Sequence, residues 1–280
     1  MRRFKILRTA SVQMACTSLS LAFGIAGCTQ QSGSVEKTVP ASSAATTTAV
    51  AVAVAVAAKQ PNLNGVWNRY PPYPDTFSPE PWPAELQVTR PPLKEPYLAA
   101  WDKMQKRREA ADAAGKPLAT PSSRCLPEGM PGLMGAHYAM EFLQTPGQIT
   151  VLAEFMSQAR RIYLDEPMPK SEEIEPSFNG YSVGRWLGDT LEVITYGVKP
   201  TVIYEDIPHS SAMKIVERIH FIGDILSDDF IIEDPVYLDG QYKFTFRYKR
   251  EKPSYKIGDY FCENQQDVVG KGGTIQMRTK

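Results

Sequence analysis

The stretch QYKFTFRYKR, residues 241–250, decides the fold class of this 280-residue chain. Aromatic side chains occupy every second position, and lysine, threonine and arginine stand between them. Successive side chains of a β-strand point to opposite faces, so the pattern predicts a strand with one buried and one solvent-facing side. The aromatic members are Tyr242, Phe244, Phe246 and Tyr248.

Seven further segments have the composition or the period of strands: 149–155, 160–165, 181–187, 190–196, 213–221, 226–234 and 257–262. Gly188-Asp189 is a hairpin turn signal between two of them. Eight or more short strands predict a mainly β fold built as an antiparallel meander. Such a meander must close into a barrel or fold into a sandwich to protect its edges.

The first 27 residues are predicted to be an export signal. An apolar run follows four basic residues, Arg2, Arg3, Lys5 and Arg8, and is too short and too polar to hold a membrane-spanning helix. The run ends in Ile25-Ala26-Gly27-Cys28, which resembles the bacterial lipoprotein signal. The resemblance implies that Cys28 is lipidated and anchors the chain to a membrane. An ordinary signal peptide cleaved near Ala26 or Gly27 is the alternative.

The remaining chain is predicted to be a tether followed by one domain. Residues 28–60 are rich in Gln, Ser, Thr and Ala and lack aromatics, which is typical of a disordered linker. Residues 61–280 form a single β-rich domain. Its parts are a Pro-rich and helical segment over 61–136, the meander over 137–264 and a tail over 265–280.

One helix, over residues 95–114, is expected to pack outside the sheet. Pro96 stands in its first turn and Gly115 lies beyond its end, as helix boundaries favour. Thr29, next to the lipidated cysteine, resembles the outer-membrane-sorted type of lipoprotein. The expected location is therefore the outer membrane, with the domain facing the periplasm.

The charge balance excludes a nucleic-acid partner. The chain has 31 basic and 31 acidic side chains, and loss of the four basic residues of the signal leaves 27 against 31. Without a basic excess, no face is predicted to follow a phosphate backbone. No P-loop or dinucleotide fingerprint is present, so no cofactor is expected.

The cysteines predict one disulfide. Cys16 leaves with the signal and Cys28 takes the lipid, so Cys125 and Cys262 remain. A pair of cysteines in an exported protein is most simply a disulfide. Two free thiols or a metal site are the alternatives, but three histidines and no Cys-x-x-Cys pair disfavour a metal.

Residues 180–193, GYSVGRWLGDTLEV, resemble a signature of a family of uncharacterised exported bacterial proteins. Further motifs of that family are matched at 125–131 (CLPEGMP), 208–210 (PHS), 217–218 (ER), 234–235 (DP) and 262–264 (CEN). The family usually has histidine where Tyr181 stands and an acid where Leu187 stands. The resemblance spans residues 63–264 and implies a relative without an established activity.

A second resemblance concerns the fold. Gly65-Val66-Trp67 near the start of the domain, a long meander, and basic Arg247 and Arg250 on a late strand are similar to lipocalin-like barrels. In those barrels a tryptophan closes the floor and an arginine packs across it. The resemblance therefore implies a barrel with an enclosed interior.

Glu217 is the first candidate for chemistry. On a regular strand it shares its face with apolar Met213, Ile215, Ile219 and Phe221. A carboxylate on an apolar face is costly unless it is paired or used. It is predicted to be either an acid/base or ligand-anchoring group, or a structural ion pair with Arg161 or Arg185.

The other candidates are two histidines and a set of ligand-contacting side chains. His209 and His137 lie in loops and could act as general bases, although exposed or loop-stabilising histidines are commoner. Arg185 could bind a ligand carboxylate or bond the adjacent turn. Arg161, Trp186 and Tyr163 complete the predicted ligand-binding set. A serine-hydrolase triad is not expected from Ser182, Ser210 or Ser211.

Three functions follow as hypotheses. The first is binding of a small, largely apolar molecule inside a β-barrel. The second is a cofactor-independent isomerase, lyase or hydrolase that uses Glu217 with a histidine and an arginine. The third is an envelope interaction protein whose Pro-rich segment 71–96 binds a partner.

Overall fold

Nine strands form one closed β-barrel in the computed structural model, which describes residues 60–73, 83–262, 268–269 and 272–276. The barrel strands are β1 (Gly65–Arg69), β2 (Met140–Thr145), β3 (Gln148–Ala153), β4 (Gln158–Leu164), β5 (Tyr181–Leu187), β6 (Thr190–Tyr196), β7 (Lys214–Ile222), β8 (Ile225–Glu233) and β9 (Tyr242–Arg250). Across the same ranges, the α-helices are α1 (Tyr97–Ala113) and α2 (Gly132–Gly135). A separate two-stranded sheet pairs β10 (Val268–Val269) with β11 (Ile275–Gln276). The predicted mainly β barrel is confirmed, and the sandwich alternative is wrong.

The barrel is closed by β1, which pairs with β2 on one side and with β9 on the other. Trp67 lies opposite Met140 in the first pairing and opposite Arg250 in the second. The strand predictions did not include β1, because its five residues carry too few alternations to stand out. Its partners on both sides remove the two free edges of the sheet.

The floor of the barrel has the geometry implied by the lipocalin resemblance. The Arg250 guanidinium lies 4.2 Å from the centroid of the Trp67 ring. Trp67 is fully buried, and its Nε1 donates to the carbonyl of Leu63 at 2.9 Å. Arg250 makes this contact and Arg247 does not, because Arg250 shares the inner face of β9 with Tyr248.

One strand pair departs from the predicted antiparallel meander. β4 and β5 are parallel, with Ile162 opposite Ser182 and Leu164 opposite Gly184. The connection over residues 165–180 therefore returns along the barrel to its starting end. Parallel neighbours need a connection of about a dozen residues or more, and this one is long enough.

The predicted strand over residues 257–262 is wrong. The segment has no strand pairing, and it is fixed by side-chain contacts to the turn before β4. Gly258 N donates to Glu154 Oε2 at 3.2 Å, and Ser157 Oγ donates to the Tyr260 carbonyl at 3.2 Å. Closure of the barrel by β1 leaves β9 with no free edge for a further strand.

The opposite end of the barrel, its mouth, is partly closed by α2. Leu133 and Met134 are fully buried there, and the Tyr248 hydroxyl donates to the Met134 carbonyl at 2.8 Å. A Cβ on Gly135 would lie 2.8 Å from the Phe246 ring, so the approach of α2 to β9 requires glycine at this position. The helix thus forms a lid of backbone and apolar side chains across one side of the mouth.

Helix α1 packs outside the barrel, as expected. Its one buried residue is Trp101, whose Nε1 donates to the Glu205 carbonyl at 3.0 Å. Arg108, about two helical turns further along the same face, donates to both carboxylate oxygens of Asp206, through Nε to Oδ2 and through Nη2 to Oδ1 at 2.7 Å. Among the described residues, no helix has the length and apolar character needed to cross a bilayer.

The predicted disulfide joins Cys125 to Cys262, with their Cα atoms 5.6 Å apart. It ties the segment that follows β9 to the loop that precedes α2. The two cysteines are 137 positions apart, so the bridge closes most of the domain into one loop.

Replacing both cysteines with serine is expected to lower the free energy of unfolding by up to about 4 kcal/mol, because the unfolded chain regains the entropy of that long loop. Urea unfolding of the variant and of the wild type, each with and without reductant, measures the effect. Reductant should lower the urea midpoint of the wild type alone. An unchanged wild-type midpoint under reduction would contradict the expectation.

Candidate functional site

Glu217 lies inside the barrel, paired with Arg160. It points inward from β7 between Ile215 and Ile219 and is completely buried. Nη1 of Arg160 donates to Oε1 at 2.7 Å, and Nη2 donates to Oε2. Glu217 therefore forms a buried ion pair, which was one of the two roles predicted for it.

The predicted partners of Glu217 are wrong. β4 places Arg160 on its inner face, and the neighbouring residue Arg161 is therefore exposed on the outer face. Arg185 also points outward, and its side chain is 63% exposed and bonds Glu192 at 2.8 Å. A shift of one residue along a strand reverses the face, and the register was not readable from the sequence.

Two hydroxyls complete the contacts of Arg160. Nη2 donates to Ser182 Oγ and to Thr195 Oγ1, each at 3.2 Å. Ser182 stands in a Gly-x-Ser-x-Gly spacing, Gly180 to Gly184, which the sequence reasoning missed. It lies within β5 and is 1% exposed, whereas a hydrolase nucleophile sits on an exposed strand-to-helix turn. Its role here is to support the ion pair.

Asp228 adds a second buried carboxyl beside this pair. It points inward from β8, is fully buried, and neither carboxyl oxygen has a donor among the described residues. Burial, and then the charge of Glu217, hold the pKa of Asp228 well above its usual range. The raised pKa favours a protonated Asp228, and in that form Asp228 can donate to Glu217, so that the two carboxyls carry one negative charge opposite Arg160.

Side chains fill the barrel from its floor to its middle. Ten of the inward-facing residues have no exposed surface at all, so no water-sized space touches them: Trp67, Phe142, Ile149, Val151, Ile162, Leu191, Val193, Ile215, Leu226 and Tyr248. A guest molecule therefore has no room beside Glu217. The open space lies elsewhere.

A cavity of about 930 Å³ lies at the mouth of the barrel. Inward-facing residues of β9 form its base, and the segment around α2, the loop at 204–205, helix α1 and residues 85–89 form its walls. Its described lining is rich in aromatic rings, which are Tyr73, Tyr138, Phe155, Tyr204, Tyr242, Phe244 and Phe246. The volume falls in the range of pockets that enclose small molecules, about 300–1,000 Å³.

The charged residues of the described cavity lining are two arginines and five acids: Arg69, Arg108, Glu85, Glu109, Asp112, Glu128 and Glu205. Arg69 lies at its base and is 5% exposed. Glu128 and Glu205 lie on a side wall, where burial by the surrounding protein raises the pKa of each carboxyl. Glu205 is open to the cavity space itself, and the nearby charge of Glu128 raises its pKa further.

The two predicted histidines lie at two different spaces. His137 lines the mouth cavity, where its ring lies 3.6 Å from the Tyr73 ring between centroids. Burial, and then the charge of Arg69, lower the pKa of His137. His209 faces a small apolar pocket, bonds the Ser210 carbonyl through Nδ1 at 3.1 Å, and has no described partner for Nε2.

The predicted catalytic group is not assembled. Within the described residues, Glu217 has no hydrogen bond or ion pair with a histidine, and it does not line either space. The predicted ligand-binding residues are also dispersed. Tyr163 stacks on Tyr181 on the outer face at 5.0 Å between centroids. Trp186 faces inward, and its buried Nε1 has no hydrogen-bond partner in the part of the chain that the structure describes.

Sequence reasoning identified the β9 aromatics as inward-facing but did not single out Arg69, Glu128, Tyr204 or Glu205. One signal was available: Glu128 lies within the CLPEGMP motif and Arg69 lies two residues after the floor tryptophan. The convergence of these distant segments depends on the tertiary structure.

Comparisons with known proteins do not extend the assignment: no protein-family model matches the sequence, and no curated protein matches it. The family resemblance of residues 63–264 therefore rests on the motifs alone. Among the described residues, no three His, Cys, Asp or Glu side chains are grouped so as to hold a metal ion. Cys28, the predicted signal and nearly all of the predicted tether lie outside the described residues.

Breaking the buried pair is expected to be costly. Arg160→Met or Glu217→Leu alone leaves an uncompensated polar or charged partner inside the barrel and should cost about 3–5 kcal/mol of unfolding free energy. The double variant should cost clearly less than the sum of the two. The measurement is a double-mutant cycle by urea unfolding.

The outer-face pair Arg185–Glu192, in which the arginine side chain is 63% exposed, is the matched control for this cycle. Because solvent screens it, the coupling in Arg185→Met with Glu192→Leu should stay below about 1 kcal/mol. Equal coupling in the two cycles would contradict the assignment of a buried pair.

Asp228→Asn tests the shared proton. A raised pKa in the folded state means that folding takes up a proton, so wild-type stability falls as the pH rises from about 4 toward the folded pKa. The stability of the Asn variant relative to the wild type should therefore increase with pH, by at most about 1.4 kcal/mol per pH unit. Urea unfolding over a series of pH values measures it.

Asp229→Asn, at the next position and on the outer face of β8, is the control: it keeps the Asp228 carboxyl, so its stability should fall with pH as that of the wild type does. A difference between Asp228→Asn and the wild type that stays flat with pH would show that Asp228 is ionised in the fold.

Proposed function

We propose that this chain is an exported, lipid-anchored protein of the bacterial cell envelope that binds a small, largely apolar molecule at the mouth of its barrel. The observation that carries the binding function is the aromatic-lined cavity of about 930 Å³. The first 28 residues support export and lipid anchoring, through their basic start, apolar run and lipoprotein-type ending. An outer-membrane location facing the periplasm is part of the same proposal.

The site at the mouth differs from the enclosed interior expected from the sequence. Side chains and the Arg160–Glu217 pair occupy the middle of the barrel, so a guest is restricted to the space above them. The body of the guest would lie against Phe244, Phe246 and Tyr204, whose rings already stack or pack edge to face with one another. Such rings offer a large apolar surface with defined geometry.

An acid–base enzyme is the second candidate, and one observation favours it. Glu128 and Glu205 are two carboxyls that line the same cavity. Burial raises the pKa of each of them. Acids with raised pKa values in a cleft are typical of general acid/base sites. This candidate replaces the version built on Glu217, which lies outside the cavity.

Binding is tested with 2-naphthamide, a neutral aromatic probe, by isothermal titration calorimetry on the purified chain. Phe244→Leu removes one ring of the cavity and should weaken binding up to about tenfold, since an aromatic contact is worth about 0.5–1.5 kcal/mol. Tyr163→Leu is the matched control on the outer face and should leave the affinity unchanged.

Mass spectrometry of small molecules that co-purify with the wild type complements the titration. Equal affinities for wild type and Phe244→Leu, or a loss caused by Tyr163→Leu, would place binding elsewhere. Absence of binding by the probe together with an empty purified protein would overturn the proposed function.

A further inference from the structure

We propose that the molecule bound at the mouth carries a carboxylate and that Arg69 binds it. This inference rests on the proposed function, because it assigns a chemical class to the occupant of the same cavity. The inference starts from the position of the buried Arg69 side chain. Arg69 ends the closing strand β1 and points into the barrel mouth, 5% exposed, at the base of the cavity.

The guanidinium of Arg69 is incompletely bonded. Nη1 donates to the Arg247 carbonyl at a long 3.3 Å, and Nε is buried with no hydrogen-bond partner among the described residues. Within the described part of the chain, no carboxylate forms an ion pair with it. Burying a charge without a counter-ion is expensive, so an unpaired arginine in a native fold requires an explanation.

Arg160 shows what a satisfied buried arginine looks like in this same barrel. Its Nη1 and Nη2 donate to the two oxygens of a carboxylate, and Nη2 also donates to the hydroxyls of Ser182 and Thr195. Both arginines face inward and both are nearly or fully buried. The difference is that Arg160 lies in the filled middle, whereas Arg69 borders open space.

Aromatic rings surround Arg69 without neutralising it. Its guanidinium carbon lies 4.5 Å from the centroid of Phe246, 5.7 Å from that of Tyr248 and 5.9 Å from that of Tyr73. Cation–π contacts offset part of the burial cost but supply no acceptor for the N–H groups. The positive charge still reaches His137, where it contributes to the lowered pKa.

The other charged residues on the inner walls of the cavity either form an ion pair or have a raised carboxyl pKa. Arg108 is paired with Asp206. Glu128 and Glu205 keep their protons to higher pH than ordinary carboxyls, because burial raises their pKa. Three acids at the cavity rim, Glu85, Glu109 and Asp112, are exposed to solvent.

A carboxylate is the group that best matches the guanidinium of Arg69. The planar guanidinium matches the two oxygens of a carboxylate, and such charge-assisted bonds are the strongest that a side chain offers in a dry site. The rings beside Arg69 continue into the aromatic wall of the cavity through Phe246. The ligand class is therefore a monocarboxylate with an aromatic or aliphatic body.

The test compares two probes of one shape, 2-naphthoate and 2-naphthamide, by isothermal titration calorimetry on the full chain. The wild type should bind the carboxylate at least about tenfold more tightly than the amide. Arg69→Gln should abolish this preference by weakening 2-naphthoate while leaving 2-naphthamide within about threefold. Arg69→Lys, which keeps the charge but loses the planar fork, should retain part of the preference.

Arg250→Gln is the matched control. It also removes an arginine that lies over an aromatic ring, but at the floor and away from the cavity, so the preference should be unchanged. Thermal melting of each variant shows whether it is folded. If Arg69→Gln does not fold, the test is the ratio of the affinities of Arg69→Lys for 2-naphthoate and 2-naphthamide, which should be lower than that of the wild type.

Each outcome separates the two proposals. Equal binding of both probes by the wild type, or a preference that survives in Arg69→Gln, would overturn the carboxylate assignment and leave the binding function standing. Binding of neither probe would count against the binding function and the assignment together.

Discussion

The closure of the sheet by β1 is the constraint on which the rest of the structure depends. Because β1 pairs with both β2 and β9, every second side chain of the nine described barrel strands is directed into one sealed interior. An inward polar group cannot reach solvent along a free edge. It must find its partner among the other inward residues or at an open end.

The inward charges obey this constraint in two ways. In the middle of the barrel, Arg160, Glu217 and Asp228 are buried together, and the raised pKa of Asp228 favours its neutral form beside the Arg160–Glu217 ion pair. Such a cluster specifies the strand register, since a slip of one strand by one residue would turn its charged member to the outer face and leave the remaining charges unpaired inside the barrel. At the mouth, Arg69 lacks a described counter-ion and borders open space.

The position of the cavity follows from what fills the barrel below it. Large rings and the ion pair occupy the interior from Trp67 upward, and α2 covers one side of the mouth. The remaining space is bounded by segments that are far apart in the chain, including the loop tied by the Cys125–Cys262 disulfide. Binding in this protein is thus assigned to the mouth of the barrel rather than to its centre.

Local patterns in the sequence were sufficient for β3 to β9, the main helix, the disulfide and the inward direction of Glu217, because each of these depends on a short-range period or on the pairing of the last two cysteines. The identity of Arg160 as its partner, the parallel β4–β5 pair, the closing strand and the mouth cavity were decided by the tertiary structure. Register and closure set which residues from different strands meet, and a one-residue shift changes the answer while leaving every local pattern intact. For the same reason Arg69 is one unremarkable basic residue in the sequence, and becomes a candidate ligand-binding group only once the barrel has closed around it.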